Sequence, residues 1–272
     1  MIMMKVVYSP ECLEYDTPGH PENPERVRLI HEALKAAGYS FSTAAPATKE
    51  DILLVHTKEH YEKIAKGNYG SMDTPRIDVK YPLLAAGVTL KASRELSFAL
   101  TRPPGHHAGI QTEEGFCYFN NLAIAVKKLG RKTAILDLDV HHGNGTKEIF
   151  LGKKDVIYVS LHQLPLYPMS GFKSKENSYS YPLFPDTPEE DYIKTLEKAL
   201  LVVQAFGPEL LAVSMGFDTY EKDPLAGLKI TEKGYQKIGR MVSGLNIPTF
   251  IALEGGYSKD IGKLCCNFLE SF

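Results

Sequence analysis

The feature that most limits the fold is a regular exchange between short apolar runs and longer stretches with helical periodicity. Lys132–Leu138, Asp155–Leu161 and Leu210–Met215 read as strands, and their middles (Ile135–Leu138, Val156–Ser160, Leu210–Val213) are almost wholly apolar. Strands covered on both faces have that composition. Lys5–Tyr8, Ser97–Thr101 and Thr249–Leu253 read as further strands. Between them lie helical stretches at Glu22–Ala37 (stopped at Gly38), Lys58–Lys66, Pro82–Leu96, Tyr118–Leu129 (stopped at Gly130) and Thr231–Leu245. Thr48 and Asp51 have capping-box spacing before Ile52–Val55. Thr187-Pro188-Glu189-Glu190 offers a cap, a proline at the first position and early acids for a helix running to Phe206. Such alternation predicts an α/β fold, an open parallel sheet with helices on both faces in three layers. No repeat or hinge-like linker divides the chain, so one domain over residues 1–272 is expected. His162–Asp186, rich in Pro, Ser, Gly and Tyr, shows no periodicity and is expected to be a long loop.

Composition narrows the partners. Hydrophobic residues make up 43% and charged residues 24%, which excludes a disordered chain or a disulfide scaffold. With 31 Lys and Arg against 33 Asp and Glu the net charge is −2, so no global attraction to nucleic acid or anionic membrane is expected. Cys12, Cys117, Cys265 and Cys266 form no CxxC pair and read as free thiols. Met1–Pro10 lacks the basic start and apolar core of a secretion signal, and no apolar run is long enough to span a bilayer. A cytoplasmic location follows as an expectation.

Chemistry concentrates where apolar strands end. In Ile135-Leu136-Asp137-Leu138-Asp139-Val140-His141, period two puts Asp137, Asp139 and His141 on one face and Leu136, Leu138 and Val140 on the other. Neighbouring buried carboxylates repel one another, and burial without a partner costs several kcal/mol. A cation resolves that conflict, and Asp and His are suitable zinc ligands. A pair of carboxylates capping the following glycine-rich turn is the plainer alternative, but it does not account for the histidine. Asp218 follows the apolar strand in Val213-Ser214-Met215-Gly216-Phe217-Asp218. Alone it would be a turn residue or helix cap; beside Asp139 and His141 it becomes a third ligand, leaving a fourth position open as in catalytic zinc sites. Arg102-Pro103-Pro104-Gly105-His106-His107 places two adjacent histidines after another strand. Asp137 could orient one ring and Asn144 the other, fixing tautomers. Glu254-Gly255-Gly256-Tyr257 ends the last strand and presents a phenol suited to a developing oxyanion, although a packed surface tyrosine is the commoner role.

Taken in order, six segments resemble the histone deacetylase superfamily, which includes zinc-dependent deacetylases, acetoin-utilisation proteins and acetylpolyamine amidohydrolases. They are His20-Pro21-Glu22-Asn23-Pro24-Glu25-Arg26, Arg102–Ala108, Gly115-Phe116-Cys117-Tyr118-Phe119-Asn120-Asn121, Asp137–Thr146, Gly216–Leu225 and Leu253–Tyr257. The resemblance spans nearly the whole chain and implies the open parallel α/β sheet shared with arginase.

Position by position, the resemblance assigns zinc to Asp139, His141 and Asp218, with ferrous iron an alternative ion. It assigns a structural potassium ion to Asp137, Asp139, His141, Ser160 and Leu161. His106 and His107 match the tandem histidines, and Tyr257 the electrophilic tyrosine. Gly115, Phe116 and Tyr167 match an acyl-lysine tunnel, with tyrosine at 167 where many members have phenylalanine. Arg26 matches an arginine at the inner end of the pocket, and Asn144 follows the class II pattern where class I has aspartate. The implied activity is hydrolytic deacetylation, with His107 as general base, His106 paired with Asp137 as electrostatic partner, and Tyr257 donating to the oxyanion. Leu225 stands where polyamine-specific relatives carry glutamate, which favours acetyl-lysine peptides or proteins over acetylpolyamines or other small acylamines. Two other classes compete: an arginase-like two-manganese hydrolase, which needs more acidic ligands, and a non-catalytic acyl-binding regulatory module, which needs none of these groups.

Overall fold

Residues 3–70 and 73–272 are described by a computed structural model. Among the described residues eight strands form one sheet: β1 Val6–Tyr8, β2 Phe41–Ser42, β3 Phe98–Leu100, β4 Thr133–Asp137, β5 Val156–Gln163, β6 Ser178–Leu183, β7 Leu210–Met215 and β8 Thr249–Leu253. Their order is β2-β1-β3-β8-β7-β4-β5-β6, and every pairing is parallel.

Side-chain alternation along the strands builds two cores. Val6, Leu100, Leu136, Val159, Val213 and Ile251 face one way. They pack against α1 Pro24–Ala36, α7 Glu189–Phe206, α8 Glu232–Ser243 and α9 Ile261–Leu269 through residues such as Ile30, Leu196, Ile238 and Phe268. Val7, Ala99, Ile135, Tyr158, Ala212 and Phe250 face the other way, against α4 Lys80–Glu95 and α5 Asn121–Leu129. The predicted three-layer arrangement is therefore present. Removing one buried ring such as Phe250 would cost about 3–5 kcal/mol. Because all strands run the same way, the segments after β3, β4, β5, β7 and β8 leave from one edge of the sheet, where α/β folds collect their chemistry.

Several local expectations are corrected. The strand expected over Lys132–Leu138 stops at Asp137, yet Leu138 and Val140 stay in the core. The chain keeps its alternation past Asp137 because Leu138 N still donates to Ser214 O and Val140 O accepts from Gln163 N, while Asp139 N and His141 N turn to side chains. The loop expected over residues 162–186 contains the end of β5 and all of β6. As an edge strand, β6 needs little apolar surface: Tyr179, Tyr181 and Leu183 pack on the first core, the other row is Ser178, Ser180 and Pro182, and an edge tolerates that proline. Its polar sequence hid it. Two-residue β2 and the helices α6 Asn144–Phe150 and α9 were likewise not expected. Thr187 does not cap α7: Pro188 takes the cap position and the Thr187 hydroxyl donates to Phe184 O. Thr48 and Asp51 do form a reciprocal capping box, on α2 Lys49–Ile52, ahead of α3 Lys58–Ala65.

His56, between α2 and α3, ties the loops beneath the sheet edge. Its Nδ1 donates to Gly109 O and its Nε2 accepts from Asn120 N, both at 2.9 Å, so both ring nitrogens are committed in the neutral form. Burial, reinforced by His60, pushes its pKa down to about 3. An unfolded histidine takes its proton near pH 6.5 while folded His56 does not, so stability is lost as pH falls from about 6.5 towards 3, at about 1.4 kcal/mol per pH unit. Urea unfolding of His56→Gln at pH 7, 6 and 5 should show a shallower pH dependence than wild type by about one proton. Parallel curves for the two proteins would rule out that contribution.

Candidate active site

The polar stripe after β4 is built by backbone groups donating onto its own carboxylates. Asp139 N donates to Asp137 Oδ1 at 3.2 Å and His141 N to Asp139 Oδ1 at 2.9 Å. The segments after β7 and β8 close on it: Val140 N donates to Asp218 Oδ1 at 2.9 Å, and Gly255 N to Asp139 Oδ2 at 2.7 Å. Only glycine fits at 255, since a Cβ there would collide with Asp218 Oδ2. The result is a knot of Asp139, His141 and Asp218 whose ligand atoms lie within 4.8 Å of one another. Among the described residues it is the one cluster of three or more such side chains with that spacing.

Charge in this knot is unbalanced without a further partner. Asp139 and Asp218 are wholly buried. His141 Nδ1 lies 3.0 Å from Asp139 Oδ1 and 3.3 Å from Asp218 Oδ2. Asp218 Oδ2 has no well-directed hydrogen bond. Burial opposes charge on His141, but Asp139 and Asp218 outweigh it and push its pKa up to about 10. Burial also raises Asp218, with Asp139 adding repulsion. The proton held by His141 between two acids is the positive charge that a divalent ion would supply instead. An orphaned carboxylate oxygen, a second carboxylate and an imidazole nitrogen are the donor set such an ion takes.

Glu254, at the end of β8, secures the tandem histidines. Its Oε2 accepts from Gly105 N at 2.7 Å and His106 N at 3.1 Å, and its Oε1 from the Ser214 hydroxyl at 2.9 Å. His106 Nδ1 donates to Asp137 Oδ2 at 3.2 Å, an oxygen that also accepts from the Tyr158 hydroxyl at 2.8 Å. His107 Nδ1 donates to Asn144 Oδ1 at 2.8 Å. Both pairings match the sequence expectation. The two rings titrate in opposite directions. Burial disfavours charge on His106, but Asp139, Asp137 and Glu254 outweigh it and push the pKa up to about 10. Burial and the neighbouring His106 and His141 push His107 well below the ordinary histidine range. One imidazole is kept cationic and the other neutral, at adjacent positions.

Tyr257 is placed from behind. Its N–H donates to Asp223 Oδ2 at 2.7 Å, and the Arg26 guanidinium lies 4.7 Å from its ring centre. Arg26 also donates to Gly256 O and Glu254 O. Arg26 thus sits behind the phenol, deeper than the side chains that line the pocket. Burial pushes the Tyr257 hydroxyl well above its usual pKa, partly offset by Arg26, so it keeps its proton.

These groups floor a pocket of about 260 Å³, lined by Phe116, Tyr167, Leu225, Leu166 and Pro104, with His106, His107, His141 and Tyr257 within. Gly115 and Phe116 both have left-handed backbone, φ 56° and 70°, which aims the phenyl ring at Tyr257 with ring centres 5.9 Å apart. Tyr167 stands edge-on to His107 at 5.1 Å and is 38% exposed at the mouth. Ser160 and Leu161 are buried beside Asp137, with Asp137 and Ser160 in register across β4 and β5. The structure therefore gathers the expected residues at one sheet edge. Glu254, Asp223, Tyr158 and Glu114 support the site without having been singled out. Glu254 could have been found as an acid directly following the apolar run Phe250–Leu253.

Residues 20–270 match the histone deacetylase domain. The chain belongs to that family and is a hydrolase acting on amide bonds. A probable deacetylase of Methanothermobacter thermautotrophicus is 35% identical over 98% of this chain and 90% of its own length. Histone deacetylase 15 of Arabidopsis thaliana is 34% identical over 88% of this chain and 50% of its own. The crystal structure of an acetylpolyamine aminohydrolase from Burkholderia pseudomallei superposes with a TM-score of 0.91 at 25% identity, covering 99% of this chain and 98% of that one. Among the described residues no helix is long and apolar enough to cross a membrane.

A chelator-treated sample titrated with zinc by calorimetry should bind one equivalent, with a rise in melting temperature as ligand exceeds its dissociation constant. Asp218→Asn should fold but lose most of that rise. Two equivalents bound in wild type would favour a two-metal hydrolase instead.

Proposed function

We propose that the chain acts as one zinc-dependent catalytic unit that removes acetyl groups from N-acetylated amines, with acetyl-lysine of peptides or proteins as substrate. The observation that carries this is the convergence of Asp139, His141 and Asp218 with neutral His107 and protonated Tyr257 at the floor of a narrow, aromatic-walled pocket. Zinc held by Asp139, His141 and Asp218 supplies, when bound, polarisation of the acyl carbonyl and a more acidic water.

The protein's own groups perform the rest. With Nδ1 donating to Asn144, His107 keeps a bare Nε2; it takes the proton of the attacking water and delivers it to the departing amine. His106, held cationic by Asp139 and Asp137, stabilises negative charge developing beside it. The Tyr257 hydroxyl donates to the carbonyl oxygen as it becomes an oxyanion. Phe116 and Tyr167 flank the alkyl chain, and Gly115 gives them room against the His107 ring. Leu225 leaves that part of the rim apolar, which supports a lysine side chain, while Asp73, which also lines the pocket, is the acid nearest to hand for the distal ammonium of a small amine. The likeness to an acetylpolyamine aminohydrolase supports a second substrate class, small acetylated amines.

A potassium ion at Asp137, Asp139, His141, Ser160 and Leu161 belongs to the same proposal. His162 Nε2 donates to Gly171 O, so its Nδ1 accepts from the Ser160 hydroxyl. The lone pairs of Ser160 Oγ are thereby left for a cation. Four unpaired cysteines support a reducing compartment such as the cytoplasm.

A fluorogenic acetyl-lysine peptide should be cleaved, and cleavage should stop with chelator and return with zinc; chelator-insensitive turnover would contradict the metal's role. Tyr257→Phe should keep zinc affinity while kcat falls about 10²–10³-fold. Full activity in that variant would leave the oxyanion without its assigned donor. Leu225→Glu should raise turnover of acetylspermidine relative to acetyl-lysine peptide, and an unchanged ratio would remove Leu225 from substrate choice.

A further inference from the structure

Asn144 offers His107 two edges of similar shape and opposite chemistry. With Oδ1 toward the ring, as observed at 2.8 Å, Nδ1 carries the proton and Nε2 is bare. With the amide turned over, Nδ2 would face Nδ1 and favour the tautomer whose Nε2 already bears a proton and cannot take another. Nothing in an isolated amide chooses between these states. The choice falls to Glu114, whose Oε1 accepts a short hydrogen bond from Asn144 Nδ2. Glu114 is well anchored: its backbone N–H and C=O exchange hydrogen bonds with Cys117 at 3.2 and 3.0 Å, across the turn that carries Gly115 and Phe116. Its charge also reaches the Tyr167 phenol on the opposite wall of the pocket, where it adds to burial in pushing that hydroxyl's pKa up.

We propose that Glu114 is a positioning residue that locks the Asn144 amide, and through it the His107 tautomer, and that its carboxyl group is the reason an amide stands at position 144. The inference rests on the reading of His107 as general base. It accounts for the pairing of residues from two separate segments, one before the Gly115–Phe116 turn and one opening α6. An aspartate at 144 would serve His107 equally well with either oxygen, but here it would set acceptor against acceptor across the Glu114 contact.

That opposition gives a test with a change of sign. Glu114→Leu should lower kcat about tenfold or more with KM little changed, as for loss of a group that orients a catalytic imidazole's partner. Glu114→Gln, whose new side-chain carbonyl can still accept from Asn144, should restore most of the loss. Asn144→Asp should be damaging beside native Glu114 and several-fold more active when combined with Glu114→Gln, whose amide can donate to the new carboxylate. Independently of substrate, ¹⁵N-histidine spectra of the zinc-loaded protein should show His107 as the Nδ1–H tautomer in wild type and as a mixture in Glu114→Leu. Equal cost of Asn144→Asp in the two backgrounds, or an unchanged tautomer in Glu114→Leu, would overturn the proposal. A wild-type protein inactive on every acetylated amine would instead overturn the deacetylase reading while leaving the tautomer measurement intact.

Discussion

Four acids, Asp137, Asp139, Asp218 and Glu254, are buried together at the carboxyl edge of the parallel sheet. Like charges about 4 Å apart repel by about 4 kcal/mol even at the effective dielectric of a protein surface. The fold meets that cost in three ways. Backbone N–H groups of residues 105, 106, 139, 140, 141 and 255 donate onto the carboxylates. His106 and His141 take up protons among them. The remaining deficit, centred on Asp218 Oδ2, is what a metal would satisfy. Chemistry and stability are thus one electrostatic problem, because the groups that tame the acids are the groups that face the pocket.

A second buried charge network braces the first. Arg102, fully buried, donates to Glu22 Oε1 at 2.7 Å and to the carbonyls of Cys12 and Tyr15 at 2.8 and 2.7 Å. Glu22 also pairs with Arg26 at 3.2 Å, and Arg26 backs Tyr257. The amino-terminal segment, remote in sequence from residues 254–257, is in this way fastened to them. Removing one partner of such a network leaves a buried charge uncompensated, which is more costly than the pair is stabilising. The arrangement therefore fixes the turn carrying Tyr257 rather than adding much to net stability.

Much of the site was legible because its residues break the pattern around them. Asp137, Asp139 and His141 interrupt an apolar alternation, and the Gly-Gly of residues 255–256 interrupts the end of another strand. The likeness to known deacetylase motifs then supplied roles. Less legible were the supports. Glu114 and Asp223 lie in ordinary polar surroundings, and their partners, Asn144 and Tyr257, are 30 and 34 residues away. Strand β6 escaped notice for a related reason: an edge strand needs so little apolar surface that its sequence resembles a loop.

Local sequence determined six of the strands and the longer helices, the direction of the sheet, and the presence of ionisable groups just past the strand ends. Those properties depend on periodicity, capping and burial, which act over a few residues. Only the tertiary structure decided which acid meets which imidazole, which histidine is charged and which neutral, and that Arg26 backs the ring of Tyr257. Those outcomes depend on separations of a few ångströms between loops brought side by side by the strand order, and no local pattern encodes them.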